Sequence, residues 1–226
     1  MNGTWILLLL ILTAALPVII VFIWLRTKKS PVTLPWFLVS LTAGIVSLLA
    51  AALIQNFIPS LTGNRRGGPW PVFFDFFIRI ALVEEASRLF TLIPLLRIGS
   101  QRRKMNRAFC GALGFAAGLG FATLESAFYG IADVNITLLR TITAAPLHGA
   151  CGIRASLAFF YHKQYPVKAF FLYIFAVLIH GAYNLMIASP ALPSILAVLI
   201  AIVALLSTLP YLVTADGDEE NLFISE

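Results

Sequence analysis

Seven residues with chemical reach fall within the long apolar stretches of this chain: Glu84, Glu85, Arg88, Glu125, His148, His180 and Asn184. A carboxylate in a low-dielectric cavity accepts a proton near neutral pH, and a cation one helical turn away tempers that effect. Glu84 or Glu85, with Arg88 nearby, therefore fits a general base that activates water. His148 and His180 can give or take protons, and Asn184 can donate an amide hydrogen bond to a developing oxyanion. The same set can hold zinc, because Glu125, His148 and His180 make a two-histidine, one-carboxylate ligand set with a position left for water. The helical HExxH signature is absent, and metal-free and metal-dependent chemistry both stand. Ser87, Ser126 and Cys151 lie nearby, but small polar residues in membrane helices usually serve packing, which disfavours a covalent nucleophile.

The elements that must position these residues follow from composition. The chain is 60% hydrophobic and 12% charged, about half the charge of a soluble domain. Its apolar stretches run near twenty residues, the length needed to cross a hydrocarbon core of about 30 Å. The expected fold is an all-α transmembrane bundle of about seven spans: Thr4 to Leu25, Leu34 to Ile58, Val72 to Leu96, Ala108 to Gly130, Ile136 to Tyr161, Val167 to Ala188 and Leu192 to Val213. Residues 1–213 form one membrane domain whose motif-bearing core is 72–188. Residues 214–226, with Asp216, Asp218, Glu219, Glu220 and Glu226, read as a disordered acidic tail. The apolar run after Met1 is a first span and no cleavable signal is evident.

Net charge is +6, but the basic residues sit between the spans, where they fix orientation, and no soluble basic face exists for nucleic acid. Arg26, Lys28, Lys29, then Arg97, Arg102, Arg103, Lys104 and Arg107, then Lys163 and Lys168 mark the first, third and fifth connections as cytoplasmic; only Arg65 and Arg66 oppose them. The N-terminus is expected outside and the C-terminus inside. Cys110 and Cys151 fall in apolar stretches and imply no disulfide.

An ionisable group at bilayer depth costs a few kcal/mol and normally faces a bundle interior or cavity. Counted from the outer ends of their spans, the acids and histidines lie roughly 8 to 18 Å deep at 1.5 Å per residue, so one outer-leaflet cavity can contain them. Glu84 and Arg88 share a helix face, as do His180 and Asn184; Glu125 follows Gly111, Gly114 and Gly118 on one stripe, and His148 sits with Ala144, Ala145, Cys151 and Gly152. Pro146 can kink that helix or open it to water. Asp75 and Arg79 read as an interfacial ion pair, and Arg140 and Arg154 as side chains snorkelling to opposite interfaces.

Four segments, Glu84-Glu85-Ala-Ser-Arg88, Gly120-Phe121-Ala-Thr-Leu-Glu125 with Tyr129, His148-Gly149-Ala-Cys-Gly152 and His180-Gly181-Ala-Tyr183-Asn184, resemble the ordered motifs of the PrsW family. The resemblance covers about Glu84 to Asn184. It implies a bacterial or archaeal multi-span protease of the cell membrane, related to the CAAX prenyl endopeptidases, that cuts a single-span membrane protein. The best-known role of the family, the first cut of an anti-sigma factor in regulated intramembrane proteolysis, is the role implied here. Arg88 stands where PrsW relatives often carry lysine, which keeps the charge and changes the hydrogen-bond geometry. Glu125 stands where the CAAX endopeptidases carry histidine, which favours PrsW. The rival class is a proton-coupled transporter or channel, for which buried Glu and His are equally natural, but no inverted repeat or pair of broken helices supports it.

Overall fold

The computed structural model describes residues 3–62, 69–102, 106–131, 134–189, 193 and 195–213. The acidic tail, Arg65, Arg66, Arg103, Lys104 and Asp133 lie outside them. The described residues form an all-helical membrane bundle. Helices α1 (Gly3–Ala14) and α2 (Leu16–Thr27) run almost in line, and α3 (Leu34–Phe57) follows. Next, α4 (Pro69–Phe73), a π-helical segment (Phe74–Leu82) and α5 (Val83–Arg102) join end to end in one rod. The bundle continues with α6 (Arg107–Gly130), α7 (Val134–Tyr161), α8 (Pro166–Ala188) and α9 (Ile195–Leu206), closed by a 3₁₀ turn at Leu209–Tyr211.

Leu8–Thr27, α3, α6 and α8 are long and apolar enough to cross a membrane. The rod at 69–102 and α7 carry most of the clustered charge and are not among them. Large apolar side chains such as Phe57, Phe90 and Ile142 point outward, the arrangement of a bundle whose solvent is lipid. The expected spans match these rods to within a few residues except at the third, where the rod continues past Leu96 to Arg102, and at the C-terminal end. There α9 stops at Leu206, and Arg154 caps its last turn: Nη1 donates to the Ala150 and Ala204 carbonyls, each at 3.2 Å, and Nη2 to Ser207 Oγ at 2.7 Å. Arg154 is therefore a buried helix cap and does not snorkel.

The central pillar is α6, buried without interruption from Ala108 to Ala122. Helix association in lipid depends on close packing, which small residues permit. A Cβ on Gly114 would overlap the Gly152 carbonyl of α7, one on Gly118 the His148 carbonyl, and one on Gly120 the Leu41 carbonyl of α3. Gly44 of α3 meets Ala117 in the same way, and Gly152 meets Gly114. Two neighbouring helices thus approach α6 backbone to backbone, and the stripe ends at Glu125.

Asp75 and Arg79 engage the incoming loop and not each other. Asp75 accepts from Ser60 Oγ at 2.6 Å, the Leu61 and Thr62 amides at 3.1 and 2.9 Å, and the Thr62 hydroxyl, while Arg79 Nε donates to the Ile58 carbonyl at 2.9 Å. These bonds pin the π-helical segment, a rare geometry that often accompanies functional sites, immediately before Glu84. Both cysteines are buried and free.

Because the obstacles at Gly114 and Gly118 are backbone, Gly114→Ala and Gly118→Ala are each expected to cost about 1 to 3 kcal/mol by overpacking. Gly99→Ala meets only the edge of the Phe109 ring and should cost less. Thermal unfolding of the three variants in one detergent checks that order.

Candidate active site

Four rods converge on the polar cluster. The rod at 69–102 delivers Glu84, Glu85 and Arg88 within two turns, α6 delivers Glu125, α7 delivers Arg140 and His148, and α8 delivers His180 and Asn184. Gly181 admits the Phe77 ring beside its backbone, where a Cβ would overlap it, so α8 and the π-helical segment lie close together at His180.

Arg88 is at the centre and has no solvent contact. Its Nη1 donates to both Glu85 oxygens, at 2.7 and 2.6 Å, its Nη2 lies 3.1 Å from His148 Nδ1, and its guanidinium carbon sits 4.5 Å from the centre of the Phe121 ring. Arginine has no acceptor, so His148 Nδ1 must accept, which leaves the ring proton on Nε2. That nitrogen is 2.8 Å from Glu125 Oε2. His180 is held the opposite way: Nδ1 lies 2.8 Å from Glu85 Oε1 and donates to it, because that carboxylate is already fixed as the partner of Arg88. His180 Nε2 then offers a lone pair, 3.4 Å from Glu84 Oε2. The two imidazoles meet edge to face, with centroids 4.7 Å apart.

A cavity of about 540 Å³ opens beside these groups, and Gln55, Glu84, Glu125, Arg140, Tyr183 and Asn184 are on its wall. Glu85, His148 and His180 stand behind the wall. Glu84 Oε1 accepts from Gln55 Nε2 at 3.1 Å. Glu84 Oε2, Glu125 Oε2 and His180 Nε2 are buried without an aligned hydrogen bond. Arg140 Nη2 lies 2.5 Å from Glu125 Oε2 and its guanidinium 4.3 Å above the Tyr129 ring. Three carboxylates, Glu84, Glu85 and Glu125, are matched here by three guanidinium groups, those of Arg88, Arg140 and Arg79, the last also on the cavity wall.

All seven residues singled out in the sequence come to this region, six in one contact network and Asn184 on the cavity wall. Sequence reasoning missed Gln55 and the place of Arg140, which sits beside Glu125 and not at an interface. The signal for Arg140 was available, since Arg140, Ala144 and His148 recur at intervals of four and share a helix face. Gln55 had none beyond being polar near the end of a span.

Glu85, His148 and His180 can each place one ligand atom so that all lie within 4.8 Å of one another. The family model described as PrsW family intramembrane metalloprotease matches residues 31–212. The chain belongs to the PrsW family. Neither a curated protein nor a solved structure matches it. The match extends well beyond the four motifs, to α3 at one end and the 3₁₀ turn at the other, so it includes Gln55 and Arg140. Membership makes this chain a membrane-embedded peptidase whose substrate is a protein of the bilayer.

Removing Arg88 strands a buried carboxylate. Arg88→Ala is expected to destabilise this PrsW family member by about 3 to 5 kcal/mol, the range for breaking a buried pair from one side. The double variant Glu85→Ala, Arg88→Ala should recover part of that loss. Arg88→Lys keeps the charge without the planar fork and should fall between parent and Arg88→Ala. Melting temperatures of the set in detergent give the coupling.

Proposed function

We propose that this protein hydrolyses a peptide bond of a single-span membrane protein near the outer membrane face, with Glu84 as the base that activates water. The observation that carries this reading is the contrast between the two adjacent glutamates. Glu85 uses both oxygens on Arg88 and one also on His180. Glu84 is on the cavity wall, fixed through one oxygen by Gln55, with the other facing His180 Nε2 unbonded. A general base needs a fixed position and a free lone pair; of the two adjacent glutamates only Glu84 has both.

A water on the cavity side of Glu84 gives its proton to the carboxylate as its oxygen attacks the peptide carbonyl carbon. The carbonyl π pair moves onto oxygen, and Asn184 donates a hydrogen bond to that oxyanion. When the intermediate collapses, the carbon–nitrogen bond breaks and the proton held by Glu84 passes to the leaving nitrogen. Glu85 orients His180 through Nδ1, and Arg88 fixes the tautomer of His148, which in turn positions Glu125.

A metal would be held by Glu85, His148 and His180, whose ligand atoms can lie within 4.8 Å of one another. Arg88 at Glu85 and Glu125 at His148 would orient these ligands, and Glu84 stays on the cavity wall as the base. A bound zinc would supply Lewis-acid polarisation of the carbonyl and a more acidic water. The outward position of the site rests on the basic loops, which assign the first, third and fifth connections to the cytoplasm. An anti-sigma factor as substrate and a bacterial or archaeal cell membrane as location follow from the family resemblance.

Purified protein in detergent is expected to cut a single-span substrate close to its outer boundary. Glu84→Gln should lower the rate by about a thousandfold or more, with Glu85→Ala and His148→Ala also strongly impaired. Full activity in Glu84→Gln defeats the assignment of the base. Proteolysis-free, pH-driven flux in proteoliposomes would point instead to proton transport.

A further inference from the structure

The oxyanion in the scheme above has one neutral donor, Asn184, and the cavity wall holds a stronger one. Arg140 is 7% exposed and lies on the cavity wall. Its Nη2 is spent on Glu125 Oε2 at 2.5 Å, and its Nε is buried without a hydrogen-bond partner. Buried charged donors left unused are costly and call for an acceptor. The guanidinium is also fixed, clamped between the Tyr129 face and Glu125, so its donors are preorganised.

Several other donors on the wall are already committed. Thr143 Oγ1 donates to the Leu139 carbonyl at 2.9 Å, so the Tyr183 hydroxyl, 2.9 Å away, must give its own hydrogen to Thr143. Gln55 directs its amide at Glu84. Arg79 is anchored at Nε to the Ile58 carbonyl, more than a turn before Glu84. We propose that Arg140 is a catalytic residue of this protease, a cationic donor that binds the carbonyl oxygen of the scissile peptide and strengthens its hold as that oxygen becomes an oxyanion. Glu125 is then the positioning residue for Arg140. The proposal rests on the proteolytic reading.

The test measures kcat and KM of the full-length protein in detergent on a single-span substrate, for the parent, Arg140→Gln and Arg140→Lys. Arg140→Gln is expected to lower kcat about a hundredfold or more while KM changes less than about threefold, the signature of a lost oxyanion donor. Arg140→Lys keeps the charge beside Glu125 but loses the fork, and its kcat should fall at least about tenfold. If Arg140 only neutralises Glu125, lysine suffices and Arg140→Lys cuts within about threefold of the parent, which overturns the proposal even if Arg140→Gln fails to fold. A thioamide at the mapped scissile bond supplies a second readout, since sulfur is the weaker acceptor. The parent should slow markedly on the thioamide, whereas the lysine variant should slow little further. An equal slowing in both also overturns the proposal. A parent that cuts beside an unimpaired Arg140→Lys leaves the protease reading intact; a parent that never cuts removes both.

Discussion

A guanidinium sealed from water in the middle of a membrane bundle persists only if its charge is paired and most of its donors are taken up. Arg88 has a carboxylate on one side, an imidazole nitrogen on another and an aromatic face above, and only its Nε is buried without a hydrogen bond. Each of these contacts fixes something further out. The carboxylate, locked as an anion's partner, settles which nitrogen of His180 carries the hydrogen, and the accepting imidazole settles the same question for His148. Arg88 therefore determines the proton inventory of the site without touching the cavity itself. The adjacent glutamates divide accordingly: one is immobilised in support, and the other is left with an oxygen to use.

This arrangement is possible only because the helices come unusually close. His148 and Glu125 can meet across α6 and α7 because Gly118 accepts the His148 carbonyl where any side chain would collide, and Gly114 and Gly152 extend the same approach one turn further on. Bulkier residues would separate the rods by a side-chain layer, and the 2.8 Å contact between Glu125 and His148 would open. The chemistry depends on these residues although none of them has a side chain to contribute.

Much of this was legible in the sequence. Long apolar stretches punctuated by proline and glycine gave the rods to within a few residues, since bilayer thickness imposes their length. The rarity of charge within them singled out Glu84, Glu85, Glu125, His148 and His180, and helical spacing put Gly114 and Gly118 on the face of Glu125. What was not legible depended on distances between rods. Arg140 and Arg154 are equally long cations on one helix, and only the position of their neighbours makes one a companion of Glu125 and the other a cap on α9. The pairing of Asp75 and Arg79 by spacing failed for a related reason, because a loop rich in unpaired backbone groups competed for both and won. The division of labour between Glu84 and Glu85 was also invisible, since adjacent residues on a helix point about 100° apart and sequence does not say which direction holds the cavity.

The size of the cavity sets a condition on whatever enters it. One turn of helix, 10 to 12 Å across and 5.4 Å in pitch, fills roughly 400 to 600 Å³, so a space of about 540 Å³ holds about one turn and not a whole span. A peptide bond inside an intact helix already has its carbonyl engaged and its flanks covered. On the proteolytic reading proposed above, entry would select for segments whose local unfolding free energy is low, and the rate of cutting would measure how readily a substrate frays at that point. An enzyme of that kind discriminates among membrane proteins less by their side chains than by their mechanical weakness.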